Sequence, residues 1–271
     1  ACRQAVVAAD GVAMVVAILQ AHQSDVQVQQ CGCGALSGIA DGNTACKQAV
    51  LAANGVTALV TALRAFPSDV TVQQWGCCAF RAITAGDTAC KQAVVTADGV
   101  AVVVAALQGH RSIIEVQRCG CRALCSITSG NAACRQAVVA ADGVAMVVAI
   151  LQAHQSDVQV QQCGCGALSG IADGNTACKQ AVLAANGVTA LVTALRAFPS
   201  DVTVQQWGCC AFRAITAGDT ACKQAVVTAD GVAVVVAALQ GHRSIIEVQR
   251  CGCRALCSIT SGNAACRQAV V

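Results

Sequence analysis

The sequence predicts an all-α solenoid, and three observations point there. Residues 133–264 repeat residues 1–132 without a mismatch, and 265–271 begin a third copy. Each 132-residue block holds three units of 44 residues, which open ACRQAVV, ACKQAVL and ACKQAVV at Ala1, Ala45 and Ala89, and again at Ala133, Ala177 and Ala221. A period of 44 falls among two- and three-helix solenoid repeats and exceeds that of leucine-rich, ankyrin or tetratricopeptide units. Apolar residues also recur at helical spacing: Val12, Val15, Val16 and Leu19 stand at i, i+3, i+4 and i+7, one stripe on a helix. The expected organisation is one continuous array over residues 1–271, with units 1–44, 45–88, 89–132, 133–176, 177–220 and 221–264 and a partial unit 265–271.

Each unit reads as three helices. The first is short, and Asn43, Asp87 and Asn131, two residues before the next opening Ala, suit its N-cap because a short side-chain oxygen there accepts from an end amide. Gly11, Gly55 and Gly99 read as its left-handed stop, since glycine takes positive φ without strain. Asp-Gly between Val-rich stretches is also a hairpin signal, but the stripe after Gly11 is helical and does not alternate. That stripe is the second helix. The third follows Ser24-Asp25-Val26-Gln27, a capping box repeated in Ser112-Ile113-Ile114-Glu115. Ser68-Asp69-Val70-Thr71 keeps only the cap, and Pro67 stops the helix before it. A buried stripe is expected at Val28, Gly32, Ala35, Leu36 and Ile39, with Gly42 just past the helix end. Gly32, Gly76 and Gly120 share one mid-helix position; Gly costs about 1 kcal/mol against Ala there, so a close helix contact is expected.

Composition limits the partners. Charged residues make up 11% and aromatics 2%, against 56% hydrophobic. So few charges exclude a disordered polar chain, and so few rings exclude a core built on large aromatics. With 17 Lys+Arg against 14 Asp+Glu, a net charge of +3 is too slight to indicate nucleic-acid binding, and it signals no membrane surface. The longest apolar runs, such as Val12–Leu19 and Val100–Leu107, reach about eight residues, against the roughly 20 that a bilayer needs. No leader pattern opens the sequence, and a soluble chain is expected.

Ten cysteines fall in each block. Cys2, Cys46 and Cys90 open the first helix, and Cys33, Cys77 and Cys121 lie on the third. Cys31-Gly32-Cys33 and Cys119-Gly120-Cys121 have a metal-like spacing, yet residues two apart on a helix point about 200° apart and cannot share one ion. Disulfides between equivalent positions of neighbouring units are disfavoured too: stacked axes lie ~8–10 Å apart and bridged Cα atoms need less than about 7 Å. The cysteines read as small, buried, mostly free thiols, which favours a reducing compartment such as the cytoplasm, with an extracellular fibre as the alternative. Neither a metal nor a cofactor is expected.

Nor is an enzyme. His22 and His110, near the end of the second helix, have no Ser or Cys nucleophile paired with them by a motif and read as surface helix-end residues. The DGN and SGN turns are caps, because neither GxGxxG nor GxxxxGK occurs. Arg81, Arg118 and Arg122, with their copies Arg213, Arg250 and Arg254, fall on the third helix, and Arg118 and Arg122 stand one turn apart on one face. They form either a solvated face or a stripe that docks an acidic partner.

The pattern ACKQAVVTADGVAVVVAALQ…VQRCGCRALCSITSGN resembles an armadillo repeat, and the resemblance runs through all six units and the seven-residue start. It implies a right-handed superhelix whose third helices line a concave groove where extended peptides bind. In peptide-binding members a Trp and, one turn later, an Asn on the third helix grip the ligand. Here the Trp-like positions hold Gly34, Cys78 and Arg122, and the Asn-like positions hold Gly38, Ala82 and Ser126. Trp75 stands three positions from the family's Trp, in one unit of three.

Two functions are expected from these readings. The first is a non-enzymatic structural repeat protein, a segment of a longer uniform superhelical array or filament, whose partner is itself, end to end. Solenoid ends normally carry polar capping units, whereas both ends here are the apolar ACRQAVV segment. The alternative is an interaction scaffold that binds an acidic or extended protein segment in the groove through Arg81, Arg118, Arg122 and their copies.

Overall fold

A computed structural model describes residues 5–6 and 8–268 of the chain. Cys2 and the end of the third copy, 269–271, lie outside the described residues. All regular structure among the described residues is helical, and the helices run in threes as the 44-residue period predicts. They group into two compact units, Ala1–Ala141 and Asp142–Val271.

In the first unit, Gly11–Ala21 and Val26–Ala40 are the second and third helices of the first repeat. Thr44–Ala52, Gly55–Ala65 and Val70–Thr84 form the second repeat; Thr88–Thr96, Gly99–Gly109 and Ile114–Thr128 form the third; and Ala132–Ala140 ends the unit. The second unit holds Gly143–Ala153 and Val158–Ala172, then the triplets Thr176–Ala184, Gly187–Ala197, Val202–Thr216 and Thr220–Thr228, Gly231–Gly241, Ile246–Thr260, and finally Ala264–Gln268. Within each unit the third helices pack side by side, and each second helix lies against the third helix of its own repeat. First and second helices bend by 71–73° where they meet. No single described helix is long and apolar enough to cross a membrane.

The first helices start where the sequence places them: Asn43 and Asp87 accept from the Cys46 and Cys90 amides at 3.0 and 2.9 Å. Their ends differ from expectation. The left-handed residues are Asp10, Asn54 and Asp98, with φ of 51°, 58° and 61°, and the glycine that follows each opens the second helix. Asp and Asn enter this region more readily than other residues with a Cβ. The glycine is needed for space instead, since a Cβ on Gly55 would stand 2.7 Å from Val50 Cγ1 and 3.0 Å from the Val50 carbonyl oxygen, blocking the bend. Caps of the third helix also shift by one residue. Asp25 and Asp69, rather than Ser24 and Ser68, accept from the Val28 and Val72 amides at 3.0 and 2.8 Å, because a carboxylate one residue closer serves both the end amide and the positive helix end. In the third repeat Ile113 occupies that position and supplies no side-chain cap, so Ser112 does not cap either.

The expected stripe is complete in the second repeat, where Val72, Gly76, Ala79, Phe80 and Ile83 are all buried. In the first repeat Val28, Ala35 and Ile39 are only half-buried, because the described residues flank that helix with a third helix on one side only. A Cβ on Gly76 would lie 2.1 Å from Leu63 Cδ1, which is the close contact between second and third helices that the repeated glycine implies. One core feature has no signal in the hydrophobic pattern. Gln29, Gln73 and Gln117 are buried beside the stripe, and each side-chain amide donates to two carbonyls at the end of the second helix, such as Leu63 and Phe66 at 2.8 and 2.9 Å.

Candidate functional site

The third helices of a unit share one face, and neighbouring repeats meet on it at staggered positions. The contacts join residues 40, 41, 42 or 45 places apart rather than equivalents 44 places apart. The Trp75 indole lies over Gly34, whose Cβ would stand 3.6 Å from Trp75 Cδ2, and the ring is 39% exposed. Cys78 Sγ stands 3.0 Å from Cys119 Sγ, and in the second unit Cys210 and Cys251 stand at 2.9 Å. Arg81 reaches back to Asp41 at 3.1 Å, and Arg213 to Asp173 at the same distance. The Thr84 and Ser126 hydroxyls share a hydrogen bond of 2.9 Å, and Ser126 donates on to the Arg81 carbonyl.

These contacts sort the six arginines. Arg81 and Arg213 have their charge matched across the repeat junction, and Arg250 pairs with Glu247 one turn earlier on its own helix. Arg118 is half-buried. Arg122 and Arg254 are exposed and form no ion pair among the described residues. The expected stripe is thus reduced to one unmatched guanidinium per unit, beside the half-buried Arg118 and the paired Arg250. Trp75, three positions from the family's Trp, is a large exposed ring of the same face.

The histidines correct an expectation. His22 is exposed, but His110 and His242 are each only 7% exposed, with Nε2 at 2.9 Å from the carbonyl oxygens of Pro67 and Pro199. A helix-end histidine is drawn in where the preceding repeat presents a turn carbonyl within reach.

The thiols largely follow the buried reading. Cys33, Cys46, Cys77, Cys90 and Cys121 are fully buried, and all described cysteines are free thiols. Desolvation by burial pushes Cys33 and Cys90 up to about 12. Cys31, Cys253 and Cys257 are exposed. Among the described residues no group of three or more His, Cys, Asp or Glu side chains could hold a metal ion. The Cys78–Cys119 pair behaves differently. The hydrogen bond with Cys119 lowers Cys78, with Arg81 and Arg122 adding to the effect, while the same bond and burial push Cys119 up. In the second unit burial comes first and Cys210 is pushed up to about 12. The geometry common to both is two sulfurs about 3 Å apart beside arginine.

Helix triplets stacked so that the third helices of each unit share one face define an α-solenoid repeat protein. No protein-family model and no curated protein sequence matches the chain. Solved structures do. An engineered protein is 33% identical over 93% of this chain and 98% of its own, with a TM-score of 0.83. A designed armadillo repeat protein in complex with the peptide (KR)4 is 24% identical over 92% and 99%, with a TM-score of 0.78. Computationally designed armadillo repeat proteins for modular peptide recognition match at 24% and a TM-score of 0.76, over 91% and 99%. The chain has the armadillo-like repeat fold of these proteins.

Proposed function

We propose that the chain is a non-enzymatic repeat scaffold that holds an extended, acidic protein segment along its third-helix face. The observation that carries this is the face itself, with the Trp75 ring and the Arg122 guanidinium exposed on helices packed side by side. A flat ring offers stacking area at little entropic cost, and an unmatched guanidinium binds carboxylate in a forked geometry. The designed relative was solved with a basic peptide, (KR)4. Here the exposed charge is basic, so the preference is reversed. Fluorescence anisotropy with a labelled oligoglutamate peptide and with (KR)4 tests it. Oligoglutamate is expected to bind, more weakly as salt rises, and Arg122→Glu with Arg254→Glu is expected to cost roughly tenfold in affinity. Binding of (KR)4 in preference would refute the acidic reading.

A second reading, the self-associating array, has its own observation. Met14 and Ile18 are 61% and 39% exposed beside an apolar hollow of about 360 Å³ lined by Val15, Val28, Cys31 and Ala35. The counterparts of Met14 in the next two repeats, Ala58 and Val102, are 7% and 6% exposed. The surface on the first repeat therefore has the form that another repeat covers elsewhere in the unit. We infer that a further repeat, in cis or from a second copy, covers it, and that the six units act as one continuous array.

A further inference from the structure

We propose that Cys78 and Cys119, and likewise Cys210 and Cys251, are a built dithiol site that forms a reversible disulfide between adjacent repeats. The expectation from helix spacing concerned equivalent positions 44 residues apart, which sit too far from each other across the seam. This pair is 41 residues apart. The stagger of the third helices brings the last turn's partner opposite, so that the sulfurs already lie 3.0 and 2.9 Å apart. A bonded pair stands at about 2.05 Å, so closure needs about 1 Å of sulfur movement, within reach of side-chain rotation.

Accessibility assigns the order of events. Cys78 and Cys210 are partly exposed, whereas Cys119 and Cys251 are only 6% and 5% exposed. The oxidant class is a small-molecule disulfide, R–S–S–R. The Cys78 thiolate attacks one sulfur, the R–S–S–R bond breaks, and one RS⁻ leaves with its electron pair and takes a proton from solvent. Cys119 then loses its proton and attacks the Cys78 sulfur of the mixed disulfide, expelling the second RS⁻. The two protein thiols are oxidised by two electrons, and R–S–S–R is reduced to two RSH. Arg81 and Arg122 flank the site and favour the attacking thiolate. The product joins residues of two neighbouring third helices, so it fixes the spacing of the face on which Trp75 and Arg122 are displayed.

The test is titration of the folded, full-length chain with glutathione disulfide, followed by alkylation in denaturant and mass measurement. Four cysteines are expected to resist alkylation, and tryptic fragment 65–81 is expected to be linked to 119–122; the fragments 197–213 and 251–254 have the same sequences. The linkage is expected to vanish on reduction and in Cys78→Ser with Cys210→Ser, and to persist in Cys77→Ser with Cys209→Ser. Exposure alone would favour Cys31, Cys253 and Cys257. Glutathione adducts there with no linked fragment would overturn the proposal, as would a linkage that survives the Cys78→Ser and Cys210→Ser changes. The unsubstituted chain gives a measurement that does not depend on any variant folding: linkage forms faster in the folded state than in urea. The reverse order refutes a built site.

Discussion

Asp219 serves two repeats with one carboxylate. It accepts from the Cys222 amide at the start of its own helix and from the Gln180 side chain of the repeat before, both at 2.9 Å, and Asp87 does the same with Cys90 and Gln48. The Cys222 amide, with Gln180 adding, holds the Asp219 carboxyl below its ordinary value of 3.8. A carboxyl depressed in the folded state contributes stability that is fully present above the unfolded value and is lost as pH falls through the folded one. The urea midpoint is therefore expected to fall as pH drops below about 4, and Asp87→Asn with Asp219→Asn should flatten that fall. An acid limb of unchanged steepness in the double variant would remove these caps from the account. The cap was legible in the sequence, because an Asx side chain acts on an amide three residues away. Its second bond was not, since it depends on which glutamine the packing brings over, and the burial of His110 likewise depends on the Pro67 carbonyl of the repeat before.

At the level of single helices, glycine separates close contacts from open surface. The Gly76 position faces Leu63, while a Cβ on Gly38 would meet nothing within 4 Å. Gly76→Leu is expected to destabilise by more than ~2 kcal/mol through overpacking, and Gly38→Ala to stabilise by up to about 1 kcal/mol through helix propensity. Equal effects at the two sites, measured by urea unfolding, would mean that the second and third helices are not in the contact described. Helix number, order and apolar faces were legible because 44-residue and helical periods are properties of the sequence itself. The one-residue differences at Asp25 and Asp10 come from Ser-Asp and Asp-Gly, which each offer two residues able to take the terminal position, and only the bend between helices selects one.

For the whole molecule, the apolar surface around Met14 and Ile18 sets the expectation. Light scattering should show a mass that rises with concentration, and Met14→Lys with Ile18→Lys should suppress the rise. A constant monomer mass without those substitutions would leave the peptide scaffold as the single reading. The site was less legible than the fold. That Arg118 and Arg122 share a face follows from helical spacing, but the pairing of Arg81 with Asp41 and the meeting of Cys78 with Cys119 follow from the stagger between repeats, which no period in one dimension encodes.

The buried glutamines have a consequence for variation. Because the amide of Gln29, Gln73, Gln117, Gln161 or Gln205 closes two carbonyls at the end of the second helix from within, the side chains of the turn that follows have no capping duty and only its backbone takes part. That turn already reads His22-Gln23-Ser24, Phe66-Pro67-Ser68 and His110-Arg111-Ser112 in successive repeats. Outside the Pro67 and Pro199 carbonyls, which hold His110 and His242 of the next repeat, it is the place where insertions and grafted loops are expected to be accepted. A display library built on this chain would diversify there first.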